Sequence, residues 1–461
     1  MARPQPVNVE SKFEADELFF SRTDLKGIIK SGNSVFVRVS GYDRKDMIGR
    51  PHNLIRHPDM PKSVFRLFWS LVQGGSPIGA YVKNMSRDGK YYWVYALAFP
   101  VKGGYLSLRL KPTSKLLGTV SDLYKKMLEA EKTGGMDAGH EVLSKALQGL
   151  GFADYPSFMT AAIVEEFTSR EKALEGRPSA ESHAFLRPCQ EASRKYKAVF
   201  DSLEKAKDFN VSINRCTNGI LEMFRDLQFF TINMAVISKS CGERARSLTS
   251  VSEGFQRLAT EIQERLELFK DATQALEKSF AAAKFRIGAA RLQTEMTHFF
   301  LGENVQGGKL LLGQEEADNC RLLVNLAVSY SDGVAESIRD IVSTLLRFGR
   351  EVQGLDTACN ALSVVHLTGK MEAARVSTDD SSINSSLDSY ISEMLRFVHR
   401  IKPLLDELAS VTSSFEGEAR RIDESLRQVL RSFDEITKLI AWKGAVAEAV
   451  DEADRPRAAC A

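Results

Sequence analysis

The stretch of this chain that contains no proline is the feature that most constrains its fold. Proline is absent from residues 189–402, and helix interiors tolerate it least, because it lacks an amide hydrogen and clashes with the preceding turn. Apolar residues recur three and four positions apart over 334–362 and 383–415, which is the spacing of a coiled-coil seam. The sequence therefore predicts long helices that pack together. The seam residues expected in the core are Leu345, Val352, Leu355, Met394, Ile401 and Leu408.

The N-terminal region has a different pattern, with short runs that are typical of strands. These candidate strands lie at 25–33, 78–84, 91–101 and 105–111. Turn-forming residues, SRDG at 86–89 and KGG at 102–104, separate the last three runs as hairpin turns would. The segment PKSVFRLFWSLV is helix-like and has Pro61 near its start, where a helix tolerates proline. The pattern predicts an α+β domain with antiparallel strands.

Charge and hydropathy exclude several classes of protein. The chain has 62 Lys and Arg against 60 Asp and Glu, a formal net charge of +2, which gives no electrostatic case for binding nucleic acid or an anionic membrane surface. No run reaches the roughly 18 apolar residues of a transmembrane helix, and the first ten residues lack the apolar core of a signal peptide. We therefore expect a cytoplasmic protein that binds neither nucleic acid nor membrane.

The sequence also lacks the motifs of the common enzyme classes. It contains no phosphate-binding P-loop, no nucleophile elbow and no zinc-protease motif. Its six cysteines are scattered without a C-x-x-C pair, which argues against a zinc site or a disulfide framework. We expect a protein without enzymatic activity.

Three segments carry a resemblance to a known family. They are FFSRTDLKGIIKSGNSVFVRVSGY, IGRPHNLIRHPDMPKSVFRLFW and VKNMSRDGKYYWVYALAFPV. Residues 20–111, which contain them, resemble the PAS domain of bacterial aerotaxis receptors. The resemblance implies a five-stranded antiparallel sheet with helices, a cleft on that sheet, and FAD bound non-covalently in the cleft as a reporter of redox state.

The same resemblance implies a set of cofactor-binding residues. An asparagine amide can pair with the uracil-like edge of a flavin, and arginine or histidine can tune its charge as electrons arrive. One position departs from the family: Ile78 stands where the family has a flavin-stacking tryptophan, which removes a contact worth about 0.5–1.5 kcal/mol. The residues that match the family's motif positions are Asn33, Arg56, His57, Asp59, Trp69 and Asn84.

Plainer roles for these residues stay open. Arg56 and Asp59 flank a tight turn and could form a structural ion pair, and Trp69 could belong to the domain core. The domain could equally dock a protein and hold no flavin.

Two segments of the helical region resemble the tip of the chemoreceptor signalling hairpin. The first is QFFTINMAVISKSCGERARSLTSVSEGFQRLA at 228–259, and the second begins at Cys359 and includes MEAAR at 371–375. They lie 132 to 135 residues apart, which indicates an internal duplication, although a generic coiled coil could give similar matches. Both copies lack the family's G-R-G-F turn, so we expect neither to activate a chemotaxis kinase. The partner-binding residues that the resemblance implies are Asn233, Gly242, Glu243, Glu372 and Arg375.

The duplication predicts a particular architecture. Four legs of similar length, joined near Cys241, at 301–308 and at 376–382, can close an antiparallel bundle within one chain. This single-chain pseudo-dimer competes with a homodimer of two long hairpins. The predicted divisions are an N-terminal extension (1–19), the PAS domain (20–112), a helical connector (113–187), a first hairpin (188–300), a turn (301–320), a second hairpin (321–445) and a polar tail (446–461).

Taken together, these patterns predict a signal-transduction protein. Its PAS domain would sense redox state, oxygen or a small ligand, and the helices would relay the signal to a protein partner, with a chemotaxis-type kinase or coupling protein as one candidate. The alternative is a scaffold whose PAS domain only docks a protein.

Overall fold

A computed structural model describes residues 4–176, 183–240, 246–306, 309–375 and 381–453. The N-terminal region forms one antiparallel sheet of five strands in the spatial order β2-β1-β5-β4-β3, with three helices on it. The predicted fold class, an α+β domain followed by a helical region, is confirmed. The elements of this domain are β1 (Phe19–Asp24), β2 (Ile29–Gly32), α1 (Ser34–Ser40), α2 (Arg44–Met47), α3 (Lys62–Gln73), β3 (Ile78–Met85), β4 (Tyr91–Val101) and β5 (Gly104–Leu110).

The first hairpin differs from the sequence prediction, which placed one strand at 25–33. The structure has two strands here, β1 and β2, paired antiparallel around Gly27. Gly27 has a φ of +76°, a left-handed conformation that glycine adopts without steric cost. The Asp24 carboxylate stabilises the turn by accepting hydrogen bonds from the backbone amides of Lys26 and Ile28, each at 2.9 Å.

Long helices make up most of the remaining chain. None of the helices in the described ranges combines the length and apolarity that a bilayer span requires. One of these helices, α4 (Leu116–Gly149), continues through a kink at Gly135, where φ is +65°. The elements are α4 (Leu116–Gly149), α5 (Tyr155–Leu174), α6 (Arg187–Ser240), α7 (Arg246–Glu303), β6 (Val305–Gln306), β7 (Lys309–Leu310), α8 (Gln314–Arg375) and α9 (Ser381–Ala453).

The chain divides into two compact units. The first comprises residues 1–200, 284–334 and 425–461, and the second comprises residues 201–283 and 335–424. The first unit therefore joins the sheet domain to α4, α5 and parts of the long helices.

Apolar side chains of all four long helices meet in the second unit. Phe415 of α9 packs edge-to-face against Phe209 of α6 and Phe280 of α7, and Phe269 of α7 stacks on Phe348 of α8 with ring centroids 3.9 Å apart. Five of the seam residues are buried there, namely Leu345, Val352, Leu355, Ile401 and Leu408. The side chain of Met394 lies outside the described residues, and the single-chain pseudo-dimer stays a prediction.

In the first unit, one face of the sheet packs on helices that follow the domain in sequence. Phe20 of β1 packs edge-to-face on Phe300 of α7, with centroids 4.9 Å apart, and Phe99 of β4 on Tyr330 of α8. Gly79 of β3 leaves room for Met159 of α5, because a Cβ at this position would come within 3.0 Å of the methionine side chain. The opposite face of the sheet is left for α3 and the cleft described below.

Helix α5 is bound to the sheet on one side and to α7 on the other. Glu166 of α5 is fully buried and accepts hydrogen bonds from the Tyr81 hydroxyl at 2.7 Å and the Ser114 hydroxyl at 2.6 Å. On the side that faces α7, α5 takes part in what we call the α5–α7 ion cluster. Here the Glu295 carboxylate accepts hydrogen bonds from the guanidinium groups of Arg170 and Arg291. This cluster consists of Arg170, Glu171, Arg291 and Glu295.

Candidate functional site

The candidate site is a cleft of about 290 Å³ between the sheet, α3 and the segment that leads into α3. Successive residues of a strand point to opposite faces of the sheet, and the strand residues in this cleft occupy alternate positions of β1, β3, β4 and β5. They form one face of the sheet, opposite to the face that packs on α5. The lining includes Ser21, Thr23, Lys26, Gly27, Pro51, His52, Asn53, Arg56, Phe65, Phe68, Trp69, Val82, Asn84, Ala96, Ala98, Tyr105, Ser107 and Arg109.

Arg109 of β5 brings a buried positive charge to the deep end of the cleft. Its side chain is 3% exposed, and one guanidinium nitrogen donates to the Ser21 hydroxyl at 2.7 Å and to His52 Nε2 at 2.6 Å. The other terminal nitrogen is buried and has no hydrogen-bond partner among the described residues. Burial lowers the pKa of Arg109 from 12.5 to about 10, which leaves the side chain protonated at neutral pH.

His52 beside Arg109 is neutral. Burial lowers the pKa of the imidazole well below 6.5, and the charges of Arg109 and Arg56 lower it further. Because Arg109 donates to Nε2, we assign the imidazole proton to Nδ1. The ring stacks on Phe36 at a centroid distance of 5.8 Å. His52 therefore accepts a hydrogen bond from Arg109 without balancing its charge.

Asn84 and Arg56 form the wall opposite β1. They face each other across an isolated antiparallel bridge. Asn84 is 3% exposed, and its amide Nδ2 is buried without a hydrogen-bond partner among the described residues. The Arg56 guanidinium lies over the Phe65 ring, 3.4 Å from its centroid. Buried polar groups are nearly always hydrogen-bonded in native proteins, so the open donor of Asn84 indicates a place for a ligand acceptor.

Comparison with known proteins identifies the family of the N-terminal domain. Residues 30–105 match the PAS fold. The N-terminal domain is a PAS domain.

The chain is 40% identical over 129 residues to the aerotaxis receptor of Escherichia coli, a match that covers 27% of this chain and 26% of that protein. It is 29% identical over 82 residues to the biofilm dispersion protein BdlA of Pseudomonas aeruginosa, covering 18% of this chain and 20% of that protein. A solved PAS domain of a Colwellia psychrerythraea protein aligns at 22% identity with a TM-score of 0.18, over 20% of this chain and 85% of that one. The chain thus spans about a quarter of the first relative's length.

The PAS cleft brings together three of the six residues expected to bind the cofactor, namely Arg56, Trp69 and Asn84. Trp69 of α3 packs edge-to-face on Tyr105 at a centroid distance of 5.5 Å. Ile78, at the position of the family's stacking tryptophan, is fully buried and is not part of the lining.

The other three lie outside the cleft lining. Asn33 caps α1: its Oδ1 accepts from the amides of Phe20 and Phe36, and its Nδ2 donates to the Leu18 carbonyl. His57 is buried, and its Nδ1 accepts from the Asp59 amide at 3.1 Å. Asp59 is exposed and pairs with Lys83 at 2.6 Å. A part for these residues in cofactor binding stays a prediction, and their contacts give each a structural use.

Sequence reasoning missed Arg109 and His52, which lie at the deep end of the cleft. The signal for Arg109 was the alternation in YLSLRL, where Leu106, Leu108 and Leu110 share one face and Arg109 falls on the other with Tyr105 and Ser107. The sequence pattern indicated a cleft position for His52 less clearly. This residue lies in a short 3-10 helix, His52–Ile55, and it stacks on Phe36, which is distant from it in sequence.

The candidate partner-binding residues of the helical region are described only in part. Asn233 lies on α6, and Glu372 pairs with Arg375 on α8 at 3.0 Å, one helical turn apart. Gly242 and Glu243 lie outside the described residues. These positions stay predictions.

Exposed apolar side chains recur near these positions on α6 and on α8. On α6 they are Phe229, Ile232 and Val236, at 64%, 65% and 59% exposure, and on α8 they are Val364, Leu367 and Met371, at 65%, 59% and 53% exposure. Each residue of the second set lies 135 residues after its counterpart, which agrees with the spacing of the predicted duplication. We call these two sets the apolar stripes.

Proposed function

We propose that this chain is a PAS-containing signal-transduction protein that binds a flavin in its cleft. The contacts between the PAS sheet and the helices would change with the state of that ligand, and the helices would pass the signal to a protein partner. The proposal assigns no catalytic reaction to the chain. The observation that carries it is the pair of buried donors, on Asn84 and Arg109, that are open at the cleft.

The donors of the cleft fit the acceptor-rich edge of a flavin ring. A flavin supplies redox chemistry when bound, and the protein supplies orientation and charge. Asn84 and Arg109 would donate to its carbonyl oxygens and ring nitrogens, while Trp69 and Phe65 give apolar walls. The cleft volume of about 290 Å³ is near the lower end of the range for ligand pockets, about 300–1,000 Å³. This size favours a ring system inside the cleft, with the rest of the cofactor at the rim beside Lys26 and Asn53.

The strands of the sheet offer a route from the cleft to the helices. On β1, Ser21 contacts Arg109 in the cleft, and its neighbour Phe20 contacts Phe300 of α7 on the other face. On β3, Asn84 faces the cleft, and Tyr81 on the other face donates to Glu166 of α5. Packed side chains and hydrogen bonds of this kind carry coupling when they have two arrangements. A shift of β1 or β3 on ligand binding would therefore act on α5 and α7.

The apolar stripes support an output through a protein partner. Large apolar side chains that are exposed together on a surface usually mark interaction sites, and here the same three positions are exposed in both copies. We propose that a signalling partner binds them with its own apolar surface. The relatives' names, an aerotaxis receptor and a biofilm dispersion protein, support a partner from bacterial signalling.

The flavin assignment predicts a clear effect of replacing Arg56. We expect the full chain, expressed with flavin available, to release about one flavin per chain on denaturation, and Arg56→Ala to lose most of it, at least tenfold, while it keeps the wild-type circular dichroism. Arg66→Ala is the matched control, because Arg66 lies on α3 outside the cleft and pairs with Asp137. That variant should keep its flavin.

Two results would count against this assignment. Full flavin content in Arg56→Ala would remove Arg56 from the site. A wild-type chain that takes up no flavin during expression or reconstitution would instead favour the alternative, a scaffold whose PAS domain docks a protein.

A further inference from the structure

The Arg109 guanidinium is buried without a compensating negative charge. No carboxylate among the described residues forms an ion pair with it, and Arg109 is 3% exposed. Charged groups in protein interiors are normally paired, because an isolated buried charge is strongly destabilising. The other arginines that are buried among the described residues obey the rule: Arg170 and Arg291 both contact Glu295. Arg109 is therefore an exception that calls for a partner.

The groups around Arg109 are neutral acceptors and donors. Ser21 and the neutral His52 both accept from one guanidinium nitrogen, at 2.7 and 2.6 Å, and the remaining terminal nitrogen has no partner among the described residues. The buried hydroxyl of Tyr92 is likewise without one in the described part of the chain. This end of the cleft thus has an unbalanced charge and an unused guanidinium donor.

We propose that Arg109 anchors a negatively charged or strongly polarised oxygen of the cleft ligand, so that the deep end of the cleft selects its ligand by charge. The inference rests on the proposed function in one respect, that the cleft holds a ligand. Arg109 donates to that oxygen with the terminal nitrogen that has no partner in the described part of the chain. His52 keeps the guanidinium group in place by accepting a hydrogen bond from the other terminal nitrogen. Charge-assisted bonds of this kind are about twice as strong as neutral ones.

Two ligands share this chemistry. The first is a flavin, whose ring gains negative charge when two electrons and one proton are added, and dithionite supplies the electrons in the experiment below. The second is a small carboxylic acid, whose charge is permanent. The two sources are separated by absorbance, because only the flavin is coloured.

The test compares wild type with Arg109→Met and Arg109→Lys. In flavin-loaded protein, Arg109→Met should lower the affinity for the reduced relative to the oxidised flavin about tenfold, which is a midpoint potential about 30 mV more negative for two electrons. The midpoint potential of Arg109→Lys, which keeps the charge, should lie between those of wild type and Arg109→Met. Arg22→Met is the matched control, since Arg22 lies on the opposite face of β1 and its loss should leave the potential unchanged.

A colourless protein is tested with succinate and its neutral diamide. Succinate should raise the melting temperature of wild type and not that of Arg109→Met, and the diamide should affect neither. This result would keep the role of Arg109 while the flavin proposal fails. If neither the potential nor the succinate response depends on Arg109, the inference is overturned.

The Arg109→Met protein without ligand should be at least as stable as wild type, because the substitution removes an unpaired buried charge. A large loss of stability would show a structural role instead.

Discussion

Replacing Glu295 with glutamine is expected to lower the free energy of unfolding by about 3–5 kcal/mol, as breaking a buried ion pair typically does. Glu295 accepts from Arg170 and from Arg291, and these arginines are 6% and 8% exposed. Removing its charge leaves two buried guanidinium groups with weaker partners. Arg170 also donates to the Ala15 carbonyl, so the loss would loosen the contact between α5 and the segment before β1.

The same carboxylate gives this prediction a pH dependence. Burial raises the pKa of Glu295, but the charges of Arg170 and Arg291 outweigh burial and lower the pKa from 4.5 to about 2. A carboxylate whose pKa is lowered by folding stabilises the native state above its unfolded pKa. The stabilisation is therefore complete above about pH 4.5 and is lost as the pH falls towards 2, and Glu295→Gln should lack this part of the acid transition.

Urea unfolding at pH 7 and at pH 3 measures both effects. The control is Glu267→Gln, an exposed glutamate on α7, which should change the free energy of unfolding by less than about 0.5 kcal/mol. Equal unfolding midpoints for wild type and Glu295→Gln at pH 7 would mean that the α5–α7 ion cluster does not stabilise the first unit.

Replacing Phe415 with alanine is the second change with a large expected effect. Phe415 is 1% exposed and contacts Phe209 of α6 and Phe280 of α7, so its removal leaves a cavity that three helices line. Such truncations cost about 3–5 kcal/mol. Leu268→Ala is the control, since Leu268 of α7 is 57% exposed and should tolerate the change. Urea unfolding followed by far-ultraviolet circular dichroism gives the comparison.

The same variant tests the proposed single-chain bundle. If the contacts of Phe415 lie within one chain, wild type should sediment as a monomer across a wide concentration range, and Phe415→Ala should lose stability independently of protein concentration. A stable dimer that dissociates only with loss of helicity, or an unfolding midpoint that rises with concentration, would favour the homodimer of hairpins instead.

The long helices could be predicted from the sequence because their signals are local. The proline-free stretch and the three-four spacing of residues such as Leu355 and Ile401 indicate helix and buried face together, and both residues are fully buried. The turns and kinks were harder to predict, because each depends on only one or two residues. The β1–β2 hairpin depends on one glycine, Gly27, and on an aspartate side chain, and Gly135 kinks α4 without ending it.

The site was predictable only in part, for a physical reason. Motif matching selected Arg56, Trp69 and Asn84, which line the cleft, and also Asn33, which lies outside the lining and caps α1 with its Oδ1. A matched residue type does not show whether a side chain is already satisfied by its neighbours. Conversely, Arg109 lies in a strand with no motif, and its importance comes from the missing counter-charge, which only the packed structure reveals.

We propose that the state of the cleft is relayed through the PAS sheet to the helices. The most direct measurement is amide hydrogen exchange, which reports local opening, on the flavin-loaded chain with the flavin oxidised and then reduced by dithionite. We expect exchange to change in the strands of the cleft and also in two helical segments that contact the sheet. These segments are α5, through Glu166, and residues 284–303 of α7, through Phe300. Changes confined to residues that line the cleft, with α5 and 284–303 exchanging identically in both states, would contradict it.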